Sequence, residues 1–349
     1  MKNRITKYFI FILGLSSLII FISVRFEKSP VNFINKKVIW EEDYGGYGDL
    51  YNLNLLDTFK VRVYEKDASF LKSGNKNNIN ESDFIFFGDS FLGGSASGKL
   101  FFERFGDSLG VKTFFSNDDD PLVYLSKVNY IKKDRKKLIF EIVERRIIEY
   151  FSVPPRTEII AGTLIDIKKT LFPSNLESKY NYLLQKSILT YDLYKLISNI
   201  KFILFGFMNP ATPKYSLNPL FLFYFQEVND KSTSFYYKFT ESEINTVCNN
   251  IAIFKKLLEE KYNLELIFLP IPNKYTIYNT ILNHDKYNDL LPVLYNKLEE
   301  KGISVIELYK DFKSSKDYVY HNTDTHWNSN GEDIAINKLI KIILFIINF

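Results

Sequence analysis

From residue 82 onward, apolar runs of strand length alternate with stretches of helical period, and that alternation leaves the chain few architectures. The pattern predicts strands at 83–87, 111–115, 138–143, 264–269 and 303–306, with helices near 96–109, 121–132, 241–261 and 286–301. The stretch 241–261 has the strongest signals. Thr240 and Glu243 stand at capping-box spacing, and Ile244, Val247, Ile251, Phe254 and Leu258 recur on one face. Strand and helix in alternation imply a parallel sheet with right-handed crossovers, covered on both faces. In such sheets, sites lie beyond the carboxyl ends of the strands.

Other segments depart from this rhythm. Residues 151–235 combine helical stretches, the aromatic run NPLFLFYFQEV and six prolines, which reads as an insertion into a domain spanning 81–349. Residues 28–80 read as a linker with an irregular lead-in strand. At the N-terminus, Lys2, Arg4 and Lys7 precede an uncharged apolar run from Tyr8 to Val24 that closes at Arg25. Residues after Ile20 contain no small-x-small cleavage pattern, so 1–27 reads as an uncleaved anchor rather than a signal peptide. The leading positive charges predict a cytoplasmic N-terminus and an extracytoplasmic main domain. The apolar C-terminal stretch LIKIILFIINF is too short to span a membrane and reads as the last, amphipathic helix.

Composition excludes several function classes. With 46% apolar and 25% charged residues the chain is globular, and its net charge of +4 is spread without a basic stripe, which argues against a nucleic-acid partner. The single cysteine, Cys248, rules out an internal disulfide and a cysteine metal cage, and its helical surroundings suggest a small core residue. Asp118, Asp119 and Asp120 lack a spaced set of oxygen ligands and read as a solvated loop before Pro121. No metal and no cofactor is expected.

The stretch FIFFGDSFLGGSASGKLFFERFGDSLGVKTFF contains Gly-Asp-Ser twice. Phe84–Phe87 reads as a buried strand and Gly88 permits a sharp turn, leaving Ser90 at a strand-to-helix junction. The small residues Gly93–Ser97 follow, with backbone N–H groups suited to a developing oxyanion. Ser108 instead falls on the last turn of a helix capped by Gly110, a surface position. A nucleophilic serine needs a base, and the chain has three histidines. His284 and His321 occupy polar stretches that read as solvated loops. His326 lies in HNTDTHWNSNG, where Asp324, two residues earlier in an extended loop, is able to orient the imidazole or the loop itself, and Asn328–Gly331 begins the last helix.

Four segments, FFGDSF, KKLIFEIVERR at 136–146, LIFLPIPNKYTIY at 266–278 and DTHWNSNG at 324–331, together resemble the SGNH hydrolase-like proteins of the alginate O-acetyltransferase type. The resemblance covers most of residues 80–349. It implies a flavodoxin-like SGNH fold, a three-layer α/β/α arrangement on a parallel sheet. It further implies a triad of Ser90 as nucleophile, His326 as base and Asp324 as orienting carboxylate, and transfer of O-acetyl groups to an exported polysaccharide. A multi-spanning membrane acyltransferase is the implied donor. Glu144 and Arg145 match the family's Glu-Arg pair at the end of a central strand, and Lys274 matches its Pro-x-Lys lysine. In the alginate proteins the Asp-x-His-Trp segment precedes the serine motif, and here it follows, as in SGNH esterases. The Gly and Asn oxyanion donors of those esterases have no counterpart in FEIVER, so Arg145 is the candidate second donor beside the Ser90 N–H, unless it forms a structural ion pair with Glu144. Three functions follow: an anchored acyltransferase, a carbohydrate esterase using the same residues, and a non-catalytic polysaccharide-assembly or carbohydrate-binding subunit. Intact Ser90, Asp324 and His326 disfavour the last.

Overall fold

The computed structural model describes Leu15 and residues 46–64, 77–93, 99–118, 120–131, 134–157, 188–229, 235–282 and 286–347. Apart from Leu15, the expected span Tyr8–Val24 lies outside them, and no helix among the described residues is long and apolar enough to cross a membrane.

Strands form at the predicted runs β1 (Phe84–Phe87), β2 (Thr113–Ser116) and β3 (Lys136–Val143), then as a hairpin the sequence pattern does not predict, β4 (Lys214–Leu217) and β5 (Leu220–Phe223), and finally at the predicted runs β6 (Leu264–Ile271) and β7 (Ser304–Val305). Five of them make one parallel sheet in the order β2-β1-β3-β6-β7. The chain steps outward from β1 to β2 and then returns across β1 to β3, the topological switch of flavodoxin-like sheets. Residues that leave the carboxyl ends of β1 and β3 therefore flank the crevice where such sheets carry their sites. β2 starts two residues later than the sequence suggests, because the Val111 N–H closes back on the Gly106 carbonyl at 3.0 Å and ends the preceding helix.

Alternation along each strand sends side chains to two cores. Ile85, Phe87, Leu138, Phe140, Leu266 and Phe268 pack beneath the helices Glu144–Phe151 and Glu241–Tyr262. On the other face, Phe84, Phe86, Ile139, Val143, Ile267 and Leu269 meet the helices Phe101–Leu109 and Ser329–Ile347. Each such side chain taken from water contributes about 1.5–3 kcal/mol, so both layers are strongly held to the sheet. The capping box forms as expected: Thr240 Oγ1 accepts from the Glu243 N–H at 3.2 Å, and Glu243 Oε2 accepts from the Thr240 N–H at 2.7 Å. Cys248 is buried here, its thiol pushed up to about 11, which makes it an unreactive core residue.

Three features go beyond the sequence pattern. Among the described residues of the lead-in segment there is no strand: Asp49–Asn54 is a short helix, and residues 46–53 belong to the compact unit that holds the sheet, together with 59–159 and 209–349. Within residues 151–235, the antiparallel hairpin β4–β5 belongs to the sheet's unit, whereas the described residues 188–208 belong to a second one. The strand β3 runs straight into the helix Glu144–Phe151, an element the sequence pattern does not announce. The second unit contains, among its described residues, the helix Ile188–Phe205, tied to its own 54–58 segment by Lys195 with Asp57 at 2.7 Å and by the Asn199 side chain donating to the Leu55 carbonyl at 3.0 Å.

Gly88, at the end of β1, has no room for a side chain: a Cβ there would meet Glu141 Oε2 at 2.4 Å and Glu141 Cβ at 2.7 Å. Gly88→Ala is expected to lower stability by about 1–3 kcal/mol, read as a reduced denaturant midpoint; an unchanged midpoint would show that β1 and β3 are not packed as described.

Candidate active site

The turn after β1 is built by Asp89 and the buried Glu141 on the neighbouring β3. Glu141 Oε2 accepts the Asp89 N–H at 2.8 Å, and Asp89 Oδ1 accepts the Phe91 N–H at 3.0 Å. Burial, and then the Asp89 carboxylate, push the Glu141 carboxyl well above the ordinary range. Ser90 opens the one-turn helix Ser90–Gly93 with its hydroxyl exposed, as the sequence predicts. Of the small residues that follow, the Gly93 N–H is used by the Asp89 carbonyl at 3.3 Å, and 94–98 lie outside the described residues. Ser108 lies in the last turn of the helix Phe101–Leu109, exposed, its hydroxyl donating to the Arg104 carbonyl at 2.9 Å.

The loop 320–327 brings the partners. It closes as a narrow hairpin through the Tyr320–Trp327 bridge and the His321 N–H to the His326 carbonyl at 3.1 Å. Buried Trp327 anchors it, stacked on Phe101 and edge-on to Phe91. Asn328 then caps the last helix, its Oδ1 accepting from the N–H groups of Asn330 and Gly331 at 3.0 and 3.2 Å. The segment is a tight bend rather than an extended loop. Within it Asp324 Oδ1 accepts from His326 Nδ1 at 2.5 Å and from the His326 N–H at 2.9 Å, so one oxygen fixes both the ring and the loop. The opposite ring nitrogen, Nε2, lies 2.6 Å from Ser90 Oγ, and the Phe91 ring flanks the imidazole at 4.9 Å. Ser90, His326 and Asp324 thus form one continuous hydrogen-bonded chain across 236 residues of sequence. Burial alone would lower the His326 pKa, but Asp324 outweighs it and raises the group to about 9; His326 in turn holds Asp324 well below the usual carboxylate range against its own burial. His321 is not solvated. It is buried against Tyr64 with ring centroids 4.7 Å apart, and burial lowers it to about 4, so it is neutral. His284 lies outside the described residues.

Glu144 and Arg145 do not pair with each other. Glu144 is buried, accepts the Asn273 N–H at 2.7 Å and the Tyr287 hydroxyl at 2.5 Å, and is pushed up to about 7 by burial. The Arg145 guanidinium meets Glu227 at 3.4 Å and lies over the Tyr224 ring at 5.5 Å. Neither residue hydrogen-bonds to Ser90, His326 or Asp324 among the described residues. Lys274 does reach that chain: its buried ammonium donates to the carbonyls of Asn322 at 2.7 Å and Asp324 at 3.1 Å. Burial lowers Lys274 to about 7, opposed first by Glu227. Two acids absent from the sequence reading belong here. Glu227 takes Arg145 and the Tyr275 N–H, and Asp49 stands beside Asp324. Asp49, Asp324 and His326 each offer a metal-ligating atom within 4.8 Å of the others, yet hydrogen bonds to Thr325 and within the Asp-His pair already engage them.

Residues 222–344 match the family model described as SGNH hydrolase-like domain, acetyltransferase AlgX. This is the family the sequence resembles, and the parallel α/β sheet agrees with an SGNH-like fold. The AlgX-type match takes in Glu227, Lys274, Asp324 and His326, while Ser90, Glu144 and Arg145 precede it. Comparison with curated proteins and with solved structures gave no match.

His326 is raised in the folded protein, so its pairing with Asp324 stabilises fully below the ordinary 6.5 and is lost as pH rises through about 9. The stability advantage of the natural protein over Asp324→Asn should therefore shrink across that window, measured as the difference in thermal midpoint; an advantage that grows with pH would contradict the pairing.

Proposed function

We propose that this chain is a membrane-anchored, extracytoplasmic O-acyltransferase that acetylates an exported or cell-surface polysaccharide, with Ser90, His326 and Asp324 as its catalytic triad. The observation that carries the reading is the hydrogen-bonded line from an exposed serine hydroxyl through one imidazole to a buried carboxylate. The AlgX-type match supports acetyl transfer as the chemistry. The anchor rests on the basic and apolar pattern of residues 2–25.

In the first half-reaction Ser90 Oγ attacks the acyl carbonyl while its proton passes to His326 Nε2. Asp324 steadies the imidazolium through the Nδ1–H bond. The proton then leaves with the donor's departing group, and Ser90 carries the acyl ester. In the second half a sugar hydroxyl gives its proton to Nε2 and attacks that ester, forming the acetylated sugar and restoring the serine. The donor is a multi-spanning membrane acyltransferase, since the extracytoplasmic side has no thioester supply. Water in place of the sugar would make the same residues an esterase.

The test supplies the full-length protein with an activated acetyl ester and follows intact mass. Natural protein and Ser108→Ala are expected to gain one acetyl group on Ser90, and Ser90→Ala none. Because His326 acts only when it has lost its proton, acylation should accelerate with pH along a limb set well above 6.5, toward 9. Adding acceptor oligosaccharides should move the acetyl group onto sugar. Rapid release of free acetate with no sugar acetylated would favour the esterase, and absence of any adduct would leave a non-catalytic subunit.

A further inference from the structure

Asp324 has two carboxylate oxygens, and its own loop satisfies only one of them. Oδ2 is taken by the N–H of Asp49 at 2.8 Å, from a residue 275 positions earlier. Around that bond the segment 46–53 grips the loop along its length. Thr323 Oγ1 donates to the Tyr47 carbonyl at 2.6 Å, and the N–H groups of Leu50 and Tyr51 both donate to the Thr323 carbonyl at 3.1 Å. In the reverse sense Asp49 accepts from the Thr325 N–H at 2.9 Å and the Thr325 hydroxyl at 2.6 Å. Gly48 has φ +90, and a Cβ there would lie 2.5 Å from the Thr323 carbonyl oxygen and 2.9 Å from Asp324 Cβ. Only glycine admits both the left-handed backbone and this approach.

We infer that residues 46–53 are a clamp that completes the Ser90–His326–Asp324 chain, with Asp49 as its positioning residue. The inference rests on the triad reading above and extends it to a segment that precedes the AlgX-type match. Asp49 acts in two ways. Its backbone N–H and carboxylate fix where Asp324 and Thr325 sit, and its negative charge favours the His326 imidazolium. The other charged or titratable groups near these two residues are Asp324 and His321 from the loop, Tyr64 from the N-terminal segment, Asp89 from the turn after β1, Tyr224 and Glu227 after β5, and Lys274 after β6.

The test uses the full-length chain with Asp49→Asn, which keeps the side-chain shape and removes the charge, and with Gly48→Ala, which drives the clamp off the loop. Three quantities are read: thermal midpoint, titration of the His326 ring by NMR of labelled histidines, and the rate of Ser90 acylation against pH. Asp49→Asn is expected to fold, to titrate His326 at lower pH, and to move the acid limb of acylation down by the same shift. Gly48→Ala is expected to slow acylation about a hundredfold, the cost of a displacement on the order of 1 Å in a reacting group. If Gly48→Ala fails to fold, the Asp49→Asn titration decides alone. An unshifted His326 titration in folded Asp49→Asn overturns the inference. Should the natural protein never be acylated, the proposed reaction falls, while the His326 titration still decides whether the clamp holds the pair.

Discussion

A carboxylate removed from water has to find donors for its oxygens, and the fully buried Asp324 finds them on two distant parts of the chain. One oxygen is met by His326, the other by Asp49, so the bend at 323–326, the short helix at 49–54 and the imidazole share one requirement. Removing any of these partners leaves a buried charge short of hydrogen bonds, a defect that typically costs more than the net gain of a satisfied bond. The Trp327 anchor and the Asn328 cap then fix the loop against the second core, which decides that His326 Nε2 arrives at the turn after β1.

Behind this line lies a second set of buried polar groups at the ends of β3 and β6. Glu144 holds the Asn273 N–H, the Asn273 side chain takes the Arg145 N–H at 3.2 Å, and Arg145 and the Tyr275 N–H share Glu227. Lys274 joins this set to the loop by donating to the carbonyls of Asn322 and Asp324. Such a network is stabilising only when its members are satisfied, which is why acids raised by burial, Glu144 and Glu227 among them, sit beside donors rather than in apolar surroundings. The Glu-Arg pair of the sequence is thus turned apart, Glu144 to the Asn273 N–H and the Tyr287 hydroxyl, and Arg145 to Glu227.

The centre of the sheet is legible in the sequence because β1, β3 and β6 are covered on both faces, so each carries a continuous apolar run with no alternation to confuse it. The helix Glu144–Phe151 is not, because β3 feeds it without a loop and Val143 at its start offers no side-chain cap. Ser90 and His326 stand out by their neighbours, a strand ending in glycine and a bend carrying aspartate and tryptophan. His321 misleads for the same reason: beside Asn322 it reads as a solvated loop, yet it is buried, as are Thr323 and Asp324 beneath the 46–53 segment. Asp49 gives no sequence signal of its role. Its helix is too short for a period, and only the glycines of GGYGD mark a place where backbone comes unusually close to something else.

The central claim is that Ser90, His326 and Asp324 act as one unit, and coupling between them is its most direct measure. Rates of Ser90 acylation would be compared for the natural protein, His326→Ala, Asp324→Asn and the double variant. Groups that act together lose their effect together, so the double variant should be no slower than the worse single one. Losses that multiply across the two substitutions would mean that the residues act independently, which would contradict the coupled site described above.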